Sequence, residues 1–503
     1  MRAGMAPLLV SLLTPLTGCF NHAEDGKDDT GGVGSGELEN VTATINPVIP
    51  TVIDMSWDAP AGGVSHVEYG LDGLLDKSTP VSGSDTHFEF NLLGLKTARS
   101  YSFQAVTVTE DGTELRSEVG SLTLDVQPQG LPLFAVDEAN TDLAQTLNGG
   151  DGYVMFSIMQ LADSWVVIVD RDGDYVWYLQ ADDGLSIPTT HTTPEKDAIV
   201  YTQNDRMQKS DLGGIVRITL AGEKTLTVTP GGHHDAIKLP GEDTIAYINV
   251  ETDTFDVEDH GNLLVAYDNV YETPIGAVDD SEAEQIWSLS SRYSDYPRDP
   301  WYVCSHFNAE AYSTGGKDWT HSNSLMASDD GEFLYIMSKN LDAIWKIDRQ
   351  TRTFEWQMGG EDSDFRFSDF NGTFAESPDH WSHAHMSDLS SDSLCLFDNG
   401  YHHDEDSTGG GVRSRVVDYS YDESTMEVTK TWEMWLDDDY FNPELGDCRR
   451  MPNGNHLISV TVAGYIFEVA PDNSVVWKVK TDEPNAITGR VTYLSDLYAL
   501  TQE

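Results

Sequence analysis

Three short polar clusters in the sequence place histidine beside groups that can bind a ligand or move a proton. The clusters are His233-His234-Asp235, His321-Ser322-Asn323 and His383-Ala384-His385. A neutral imidazole nitrogen is a good nucleophile near pH 7, and its protonated ring is a good leaving group. Imidazole is also a common metal ligand, and His383 and His385 would lie on one face of a strand because alternate residues share a face. The residue types therefore fit either nucleophilic catalysis or metal binding.

The cluster at His321 opens a segment built from short apolar runs. An Asp-Asp-Gly turn at 329–331 precedes two such runs, 333–337 and 341–347, and a last run carries Trp356. Three or four short strands joined by turns are typical of one blade of a β-propeller. His321 would then lie at the start of the innermost strand of its blade.

Similar segments recur along the chain. Runs containing tryptophan close them at Trp177, Trp287, Trp356, Trp432 and Trp477. Residues 224–230 fill the long gap between the first two without a tryptophan, which makes six units. Repeats whose sheets cannot each bury both faces alone predict a closed array, here an all-β, six-bladed propeller over residues 134–503.

In such a ring the innermost strands converge on one axis, so the three histidine clusters should meet there. Lys339, which follows the strand after His321, could add a cation. One axial histidine is usually structural. Three clusters at equivalent blade positions are harder to explain by packing, because each buried imidazole needs hydrogen-bond partners. The recurrence therefore favours a functional site at the axis.

Charge excludes one class of partner. The 503 residues include 29 Lys and Arg against 85 Asp and Glu, for a net charge of −56. A surface of that sign repels nucleic acid, and no basic patch interrupts it. We expect no nucleic-acid binding.

The first residues have the form of an export signal. Arg2 precedes the apolar run 7–16, which is too short to span a bilayer, and the sequence Leu-Thr-Gly follows before Cys19. This pattern resembles the lipobox of bacterial lipoproteins. It implies a signal peptide at 1–18, lipidation of Cys19, a membrane lipid anchor and a flexible tether at 19–38. Phe20 after the cysteine, in place of Asp, favours the outer membrane, facing the periplasm or the cell surface.

The remaining cysteines are Cys304, Cys395 and Cys448. An exported compartment permits disulfides, and three cysteines allow at most one bridge. Their spacing does not select the pair. No CxxC motif is present, so we expect no cysteine metal site.

Residues 39–127 differ in character from the repeats. Trp57 lies on an alternating strand, and Leu95 precedes Tyr101 by six residues before a second alternating run. The segment resembles a fibronectin type III domain, a small β-sandwich, with Tyr101 at its tyrosine corner. A linker at 127–132 would separate it from the propeller.

Sequence motifs spread over the repeats resemble the bacterial arylsulfotransferase family. They are HHDAIKLPGEDTIAY (233–247), DWTHSNSL (318–325), MSKNLDAIWKID (337–348), EWQMGG (355–360), LFDNG (396–400), SRVVDYSYD (414–422) and the run 446–479. The resemblance implies a six-bladed propeller with an added β-sandwich. It also implies transfer of a sulfuryl group from a phenolic sulfate to an acceptor phenol through a sulfohistidine, without a nucleotide cofactor and without a metal.

Carried over residue by residue, the resemblance assigns His385 as the nucleophile, with His383 as the alternative. It assigns His321 and Asn323 to contacts with sulfuryl oxygens or the leaving group. His233 takes the same role, with His234 as the alternative, and Lys339 stands where the family usually has arginine. Lysine keeps the charge but lacks the two-pronged guanidinium.

Two other functions remain open from the residues alone. One is a non-catalytic binding propeller at the cell surface, which the Lys339 difference motivates. The other is a metal-dependent enzyme that uses His233, His321, His383 and His385 as ligands.

Overall fold

The structure, a computed structural model of the chain, describes residues 37–140, 152–160, 163–182, 184–204, 213–257, 261–292, 315–374, 380–400, 413–437 and 440–501. The predicted signal peptide, Cys19 and Cys304 lie outside these residues. Within them, no helix is long and apolar enough to cross a membrane. The helical structure described there consists of three short 3-10 turns, Asp280–Glu282, Leu289–Arg292 and Tyr498–Leu500.

The first described strands form a small β-sandwich. They are β1 (Glu39–Ile45), β2 (Ile53–Leu71), β3 (Lys77–Ser78), β4 (Asp85–Leu92), β5 (Ser100–Thr109), β6 (Glu114–Arg116) and β7 (Gly120–Thr123). The long strand β2 belongs to both layers: its first part pairs with β1 and β4, and its last part pairs with β3 and β5. Its alternating residues, with Trp57 fully buried, form the core between the layers. The Tyr101 hydroxyl accepts a hydrogen bond of 2.8 Å from the Lys96 backbone N–H, which is the contact that a tyrosine corner requires.

The strands after the sandwich build the propeller. In chain order they are β8 (Phe134–Ala139), β9 (Tyr153–Met159), β10 (Ser164–Val169), β11 (Tyr175–Gln180), β12 (Thr190–Thr192), β13 (Ile199–Asn204), β14 (Gly213–Ile218), β15 (Lys224–Thr227), β16 (Gly232–Lys238), β17 (Thr244–Val257), β18 (Gly261–Pro274), β19 (Glu284–Ser288), β20 (Lys317–Asp318), β21 (Ser322–Ala327), β22 (Phe333–Ser338), β23 (Ala343–Asp348), β24 (Thr353–Gly359), β25 (Arg366–Ser368), β26 (His385–Leu389), β27 (Ser393–Asp398), β28 (Arg415–Asp422), β29 (Glu427–Trp435), β30 (Asp447–Arg450), β31 (His456–Val460), β32 (Tyr465–Val469), β33 (Val475–Thr481) and β34 (Ile487–Leu494).

These strands form six sheets, the blades of the predicted propeller, which confirms the fold class. Blade one is β34-β9-β10-β11, blade two β12 to β15, blade three β16 to β19, blade four β21 to β24, blade five β26 to β29, and blade six β30 to β33, with β20, β25 and β8 added to blades three, five and six. The tryptophans that suggested the repeat lie in the outer strands β11, β19, β24, β29 and β33, and β15 is the strand without one.

The ring closes at both ends of the propeller sequence. The last strand, β34, is the innermost strand of blade one and pairs with β9. The first strand, β8, pairs with β33 at the outer edge of blade six. Blades one and six meet where the ring closes. Because the first strand is paired into blade six and the last strand into blade one, the two ends of the propeller sequence hold the ring closed there.

A disulfide joins two neighbouring blades. Cys395 on β27 and Cys448 on β30 are bonded, with their Cα atoms 5.8 Å apart, and both side chains are fully buried. The structure thus selects a pair that the spacing left open. The bond cross-links blades five and six beside the channel.

The sandwich also contacts the propeller through charge. The ammonium of Lys96 lies 2.7 Å, 3.0 Å and 2.8 Å from carboxylate oxygens of Asp170, Asp172 and Asp174, which form the turn between β10 and β11. Nearby, the backbone N–H of Leu93 donates to the Tyr498 hydroxyl.

Candidate active site

The innermost strands of blades three, four and five each contain an irregularity at the histidine cluster. The register shifts between His233 and Ala236 in β16, between Ser322 and Ser324 in β21, and between His385 and Asp388 in β26. Bulges of this kind re-aim side chains and are frequent beside active sites.

The backbone at these clusters is also strained. His234, His321 and His383 have φ values of 52°, 46° and 57°. A non-glycine residue in this left-handed region costs about 1–2 kcal/mol. Three successive blades therefore hold a histidine in an unfavourable conformation at the same end of the channel, which indicates a functional constraint.

A cavity of about 150 Å³ lies at this end of the channel. Its lining residues are Met159, His234, His321, Lys339, His385, Glu444, Leu445 and Ile487. The imidazoles of His234 and His321 approach to 5.1 Å between ring centroids. Residues from distant parts of the chain thus meet at one point, as the predicted ring requires.

Hydrogen bonds define which nitrogen of His385 carries the proton. Its Nδ1 lies 2.7 Å from Asn399 Oδ1 and 3.2 Å from the carbonyl oxygen of His383. The Asn399 amide cannot be reversed, because its Nδ2 already donates to the carbonyl oxygens of Asn442 and Leu445, at 2.6 Å and 2.9 Å. Nδ1 of His385 therefore faces two acceptors and must be the protonated nitrogen. In the neutral ring the lone pair is left on Nε2.

Electrostatics keep His385 neutral. Burial and the positive charge of Lys339 lower the pKa of His385 from 6.5 to about 3, although the hydrogen bond with Asn399 opposes them. Lys339 is 2% exposed and lines the same cavity. His385 is therefore unprotonated at neutral pH, with a lone pair that could act as a nucleophile, next to a buried cation that can stabilise anionic oxygens.

His321 has its own orienting carboxylate. Its Nδ1 lies 2.6 Å from Asp318 Oδ2. A carboxylate that accepts from Nδ1 fixes the ring orientation, as in a His–Asp pair of a catalytic triad. His321 thus presents its Nε2 side toward the cavity that it lines.

The structure places His234, rather than His233, on the cavity. Burial lowers the pKa of His234 well below its ordinary value, and His233, His321, His385 and Lys339 lower it further. His233 lies behind it, with Nδ1 2.8 Å from Nδ1 of His234 and Nε2 3.0 Å from Asp268 Oδ1. The alternative residue of the predicted pair, His234, therefore lines the cavity, and its backbone has a positive φ of 52°.

Asn323 and His383 are buried around the cavity and are not among its lining residues. Asn323 Nδ2 donates to the carbonyl oxygen of Ala384, at 3.0 Å. The backbone N–H of His383 donates to Asp342 Oδ1, at 2.6 Å, and its carbonyl oxygen accepts from His385. Both residues therefore hold the loop that leads into His385.

The predicted histidine ligand set does not come together. Among the residues that the structure describes, Asp170, Asp172 and Asp174 form the one group of three His, Cys, Asp or Glu side chains close enough to share a metal ion. Lys96 occupies the space between these carboxylates.

Sequence reasoning missed the residues that orient the histidines. Asp318 and Asn399 lie within the DWTHSNSL and LFDNG motifs, so their position beside recognised residues was a usable signal. Asp268 lies in a part of β18 without such a motif. It comes close to His233 because β18 pairs with β17, the strand that follows the His233 cluster.

Comparison with known proteins decides the family. The family model described as Arylsulfotransferase (ASST) matches residues 140–492, which is more than half of the chain and includes every residue of the cavity. The chain belongs to the arylsulfotransferase family. The matched region is the propeller and leaves the sandwich outside it.

Other comparisons show only remote similarity. No curated protein matches the chain. Solved structures similar to it include the Cps50 (Swd1) β-propeller domain of Myceliophteria thermophila, with 10% identity, a TM-score of 0.38, and coverage of 71% of this chain and 92% of that one. The periplasmic gluconolactonase PpgL of Pseudomonas aeruginosa has 11% identity, a TM-score of 0.33, and coverage of 68% and 99%. These TM-scores are too low to bear on the function of this arylsulfotransferase family member.

Proposed function

We propose that this chain is an aryl-sulfate sulfotransferase that moves a sulfuryl group from a phenolic sulfate to an acceptor phenol through a sulfohistidine at His385. The observation that supports this most directly is the fixed tautomer of His385, whose Nδ1 faces two acceptors. The ring keeps its lone pair on Nε2 and is neutral because its pKa is lowered to about 3.

In the first step Nε2 of His385 attacks the sulfur, and the bond between sulfur and the phenolic oxygen breaks. Lys339 faces the sulfuryl oxygens, where negative charge is concentrated in the transition state. A neighbouring imidazole, His321 or His234, protonates the leaving phenolate. In the second step an acceptor phenol loses its proton to the same imidazole, and its oxygen takes the sulfuryl group from Nε2.

Cavity size supports two separate steps. A cavity of about 150 Å³ is the size that holds one benzene ring. The apolar side chains of Met159, Leu445 and Ile487 would contact that ring, while the histidines and Lys339 contact the sulfate group. A volume of this size favours one aromatic ring at a time, so the donor and the acceptor would bind in turn.

The test uses a chromogenic aryl sulfate with and without a second phenol. Sustained release of coloured phenol should require the acceptor, and the sulfated acceptor should appear in equal amount. His385→Asn should abolish both, with thermal unfolding close to that of the wild type. Transfer at wild-type rate in this variant would remove His385 from the reaction.

The second candidate function is a non-catalytic binding propeller, which the lysine at 339 favours because a lysine lacks the two-pronged contact of arginine with sulfate. Binding of aryl sulfates by calorimetry, without transfer to any phenol in a broad panel, would support this function. Lys339→Arg would then be the variant to assay for recovered transfer.

We also propose that the chain is anchored through a lipid on Cys19, which the pattern of the first residues supports. The enzyme would then act at the outer membrane, tethered by residues 19–38. Expression in a Gram-negative host should place the wild type in the membrane fraction. Cys19→Ser should move it out of that fraction, and equal membrane association of both would contradict the anchor.

A further inference from the structure

Behind His234 lie two more titratable groups that do not line the cavity. His233 and Asp268 are each 1% exposed. They belong to a chain of hydrogen bonds. Asp268 Oδ1 lies 3.0 Å from His233 Nε2, and His233 Nδ1 lies 2.8 Å from His234 Nδ1. This hydrogen-bond chain ends at His234, which lines the cavity.

The fold stabilises the ionised form of Asp268. Its Oδ2 accepts hydrogen bonds from the Thr320 hydroxyl, at 2.7 Å, and from the Ser322 backbone N–H. Burial alone would raise its pKa, but the charge of His233 and these hydrogen bonds hold the pKa of Asp268 below its ordinary value. A carboxylate can only accept, so Nε2 of His233 donates to it.

The contact between the two Nδ1 atoms contains one proton, which either ring can carry. When His233 is neutral, its Nδ1 has the lone pair, so His234 donates and keeps a lone pair on Nε2. When His233 is protonated on both nitrogens, it donates to His234, and the proton of His234 is then on Nε2. The state of a buried pair thus decides whether His234 offers a base or an acid to the cavity.

We propose that Asp268, His233 and His234 form a proton relay that supplies the proton to the leaving phenolate and recovers it from the acceptor phenol. The relay rests on the proposed sulfuryl transfer. His234 is the catalytic residue, because it lines the cavity, and His233 and Asp268 are positioning residues that act through it.

The steps balance over one cycle. As the bond between sulfur and the phenolic oxygen breaks, the oxygen takes the proton from His234 Nε2, and the proton on His233 Nδ1 moves to His234 Nδ1. The sulfated enzyme then has a neutral His233. In the second half the acceptor phenol gives its proton to His234 Nε2, and the Nδ1 proton returns to His233. The phenolate forms its bond to sulfur while the bond between sulfur and His385 Nε2 breaks.

The surrounding charges favour this route for the proton. Lys339, His321 and His385 act on His234 from blades four and five, and their positive charges disfavour its protonated form. A positive charge on His234 itself is therefore unfavourable. One residue deeper, Nε2 of His233 lies 3.0 Å from Oδ1 of Asp268, and this carboxylate can balance a positive charge on the relay. Asp318 contacts the other imidazole, with its Oδ2 2.6 Å from Nδ1 of His321.

The test compares two donors in His233→Gln, a variant that can keep hydrogen bonds on both sides but cannot take up a proton. One donor releases an acidic phenol, nitrophenol, which leaves without protonation, and the other releases unsubstituted phenol, which needs a proton. Formation of sulfated enzyme from phenyl sulfate should fall by about 10²–10⁴-fold. The burst of nitrophenol should fall much less. Asp268→Asn removes the negative charge beside His233. It should change the ratio of the rates with the two donors in the same direction as His233→Gln.

Two controls separate the relay from the proposed function and from loss of structure. His456→Gln alters another buried His–Asp pair, 3.1 Å from Asp418 in blades five and six, and should leave the ratio of the two donors unchanged. A wild type without any nitrophenol burst would refute the sulfotransferase itself. A normal wild-type burst with equal losses for both donors in His233→Gln would refute the relay alone.

A measurement on the wild type removes dependence on the variants. Rates with phenyl sulfate in mixtures of H₂O and D₂O should vary with deuterium fraction along a curve, because two protons move in the relay. A straight line would show that one proton moves and would overturn the relay even if both variants failed to fold.

Discussion

Asn399 determines which nitrogen of His385 can react. Its amide bridges the histidine and the carbonyl oxygens of Asn442 and Leu445, so the loop before blade six orients a residue of blade five. The chemistry proposed for His385 needs the lone pair on Nε2, and the orientation of one amide ensures it. The residue types of the histidine cluster were visible in the sequence, but the tautomer was not, because it depends on a backbone segment far along the chain.

Replacing Asn399 should therefore damage catalysis more than binding. Asn399→Ala removes the main acceptor from Nδ1, so the ring samples the wrong tautomer and orientation. We expect kcat to fall by at least about 10- to 100-fold with a small change in KM, which is the loss seen when outer partners of metal-bound histidines are removed. Steady-state kinetics with a saturating acceptor measures this. An unchanged kcat in a folded Asn399→Ala protein would contradict the assigned tautomer.

Buried neutral histidines should make the folded protein sensitive to acid. His385 has its pKa lowered to about 3. Between pH 6.5 and about 3 the unfolded chain binds a proton that the folded chain excludes, so stability falls as pH falls through this window. His385→Asn should reduce that slope by up to about 1.4 kcal/mol per pH unit. Denaturant unfolding at several pH values measures it.

The control for this slope is His87, an exposed residue whose hydrogen bond with Asp58 raises its pKa. Folding favours the protonated form of such a residue, so His87→Gln should not flatten the acid slope. If His385→Asn and the wild type lose stability with identical slopes as the pH falls, the fold does not hold His385 neutral.

Strand bulges are the elements that position the site. They occur in the innermost strands of blades three, four and five, at the clusters that the sequence showed to recur. The strands and the tryptophan repeat were predictable from alternation and turn residues. The bulges were not, because an insertion of one or two residues leaves the apolar pattern almost unchanged while it changes which side chains face the axis. This is why the choice between His233 and His234 could not be made from the sequence.

The disulfide between β27 and β30 should hold blades five and six together. Its loss in Cys395→Ala/Cys448→Ala should lower the free energy of unfolding by about 2–4 kcal/mol, because the unfolded chain gains freedom and two buried sulfurs are removed. Denaturant unfolding with and without a reductant gives the comparison. The reductant should destabilise the wild type and leave the double variant unchanged. Equal stability of oxidised wild type and double variant would show that the ring does not depend on this bond.

A buried polar network ties the whole propeller together near the axis. Arg490 Nη2 donates to Asp235 Oδ2 and to Ser324 Oγ, both at 3.0 Å, and His191 Nε2 lies 2.7 Å from Asp235 Oδ1. These residues belong to blades one, four, three and two, and both Arg490 and Asp235 are fully buried. These hydrogen bonds between groups of four blades thus form only when the ring is closed.

Breaking this network should destabilise the ring. Arg490→Met leaves Asp235 buried without its cation, which should cost about 3–5 kcal/mol of stability. Adding Asp235→Leu removes the unpaired charge and should restore part of the loss. Urea unfolding of wild type, single and double variants measures the coupling. If the losses of stability in Arg490→Met and in Asp235→Leu simply add up in the double variant, an interaction across the axis is contradicted.

At the scale of the molecule, the six blades, a closed ring and the meeting of the histidines at one axis followed from the repeat, while the strand that closes the ring did not. The innermost strand of blade one comes from residues 487–494, far along the chain from its other three strands. The local sequence pattern of this strand does not distinguish it from an innermost strand that directly precedes the rest of its blade. The cavity likewise includes Met159 and Ile487 from this seam, which no motif pointed to.

The central claim is that Nε2 of His385 takes the sulfuryl group, and mass spectrometry of the stalled enzyme tests it most directly. Protein incubated with an aryl sulfate and no acceptor should gain one SO₃ group, which fragmentation should locate on His385 and which should disappear when a phenol is added. His385→Asn should gain nothing under the same conditions. Transfer to the acceptor by a protein that never carries the group, or a sulfuryl group located on another residue, would contradict the account.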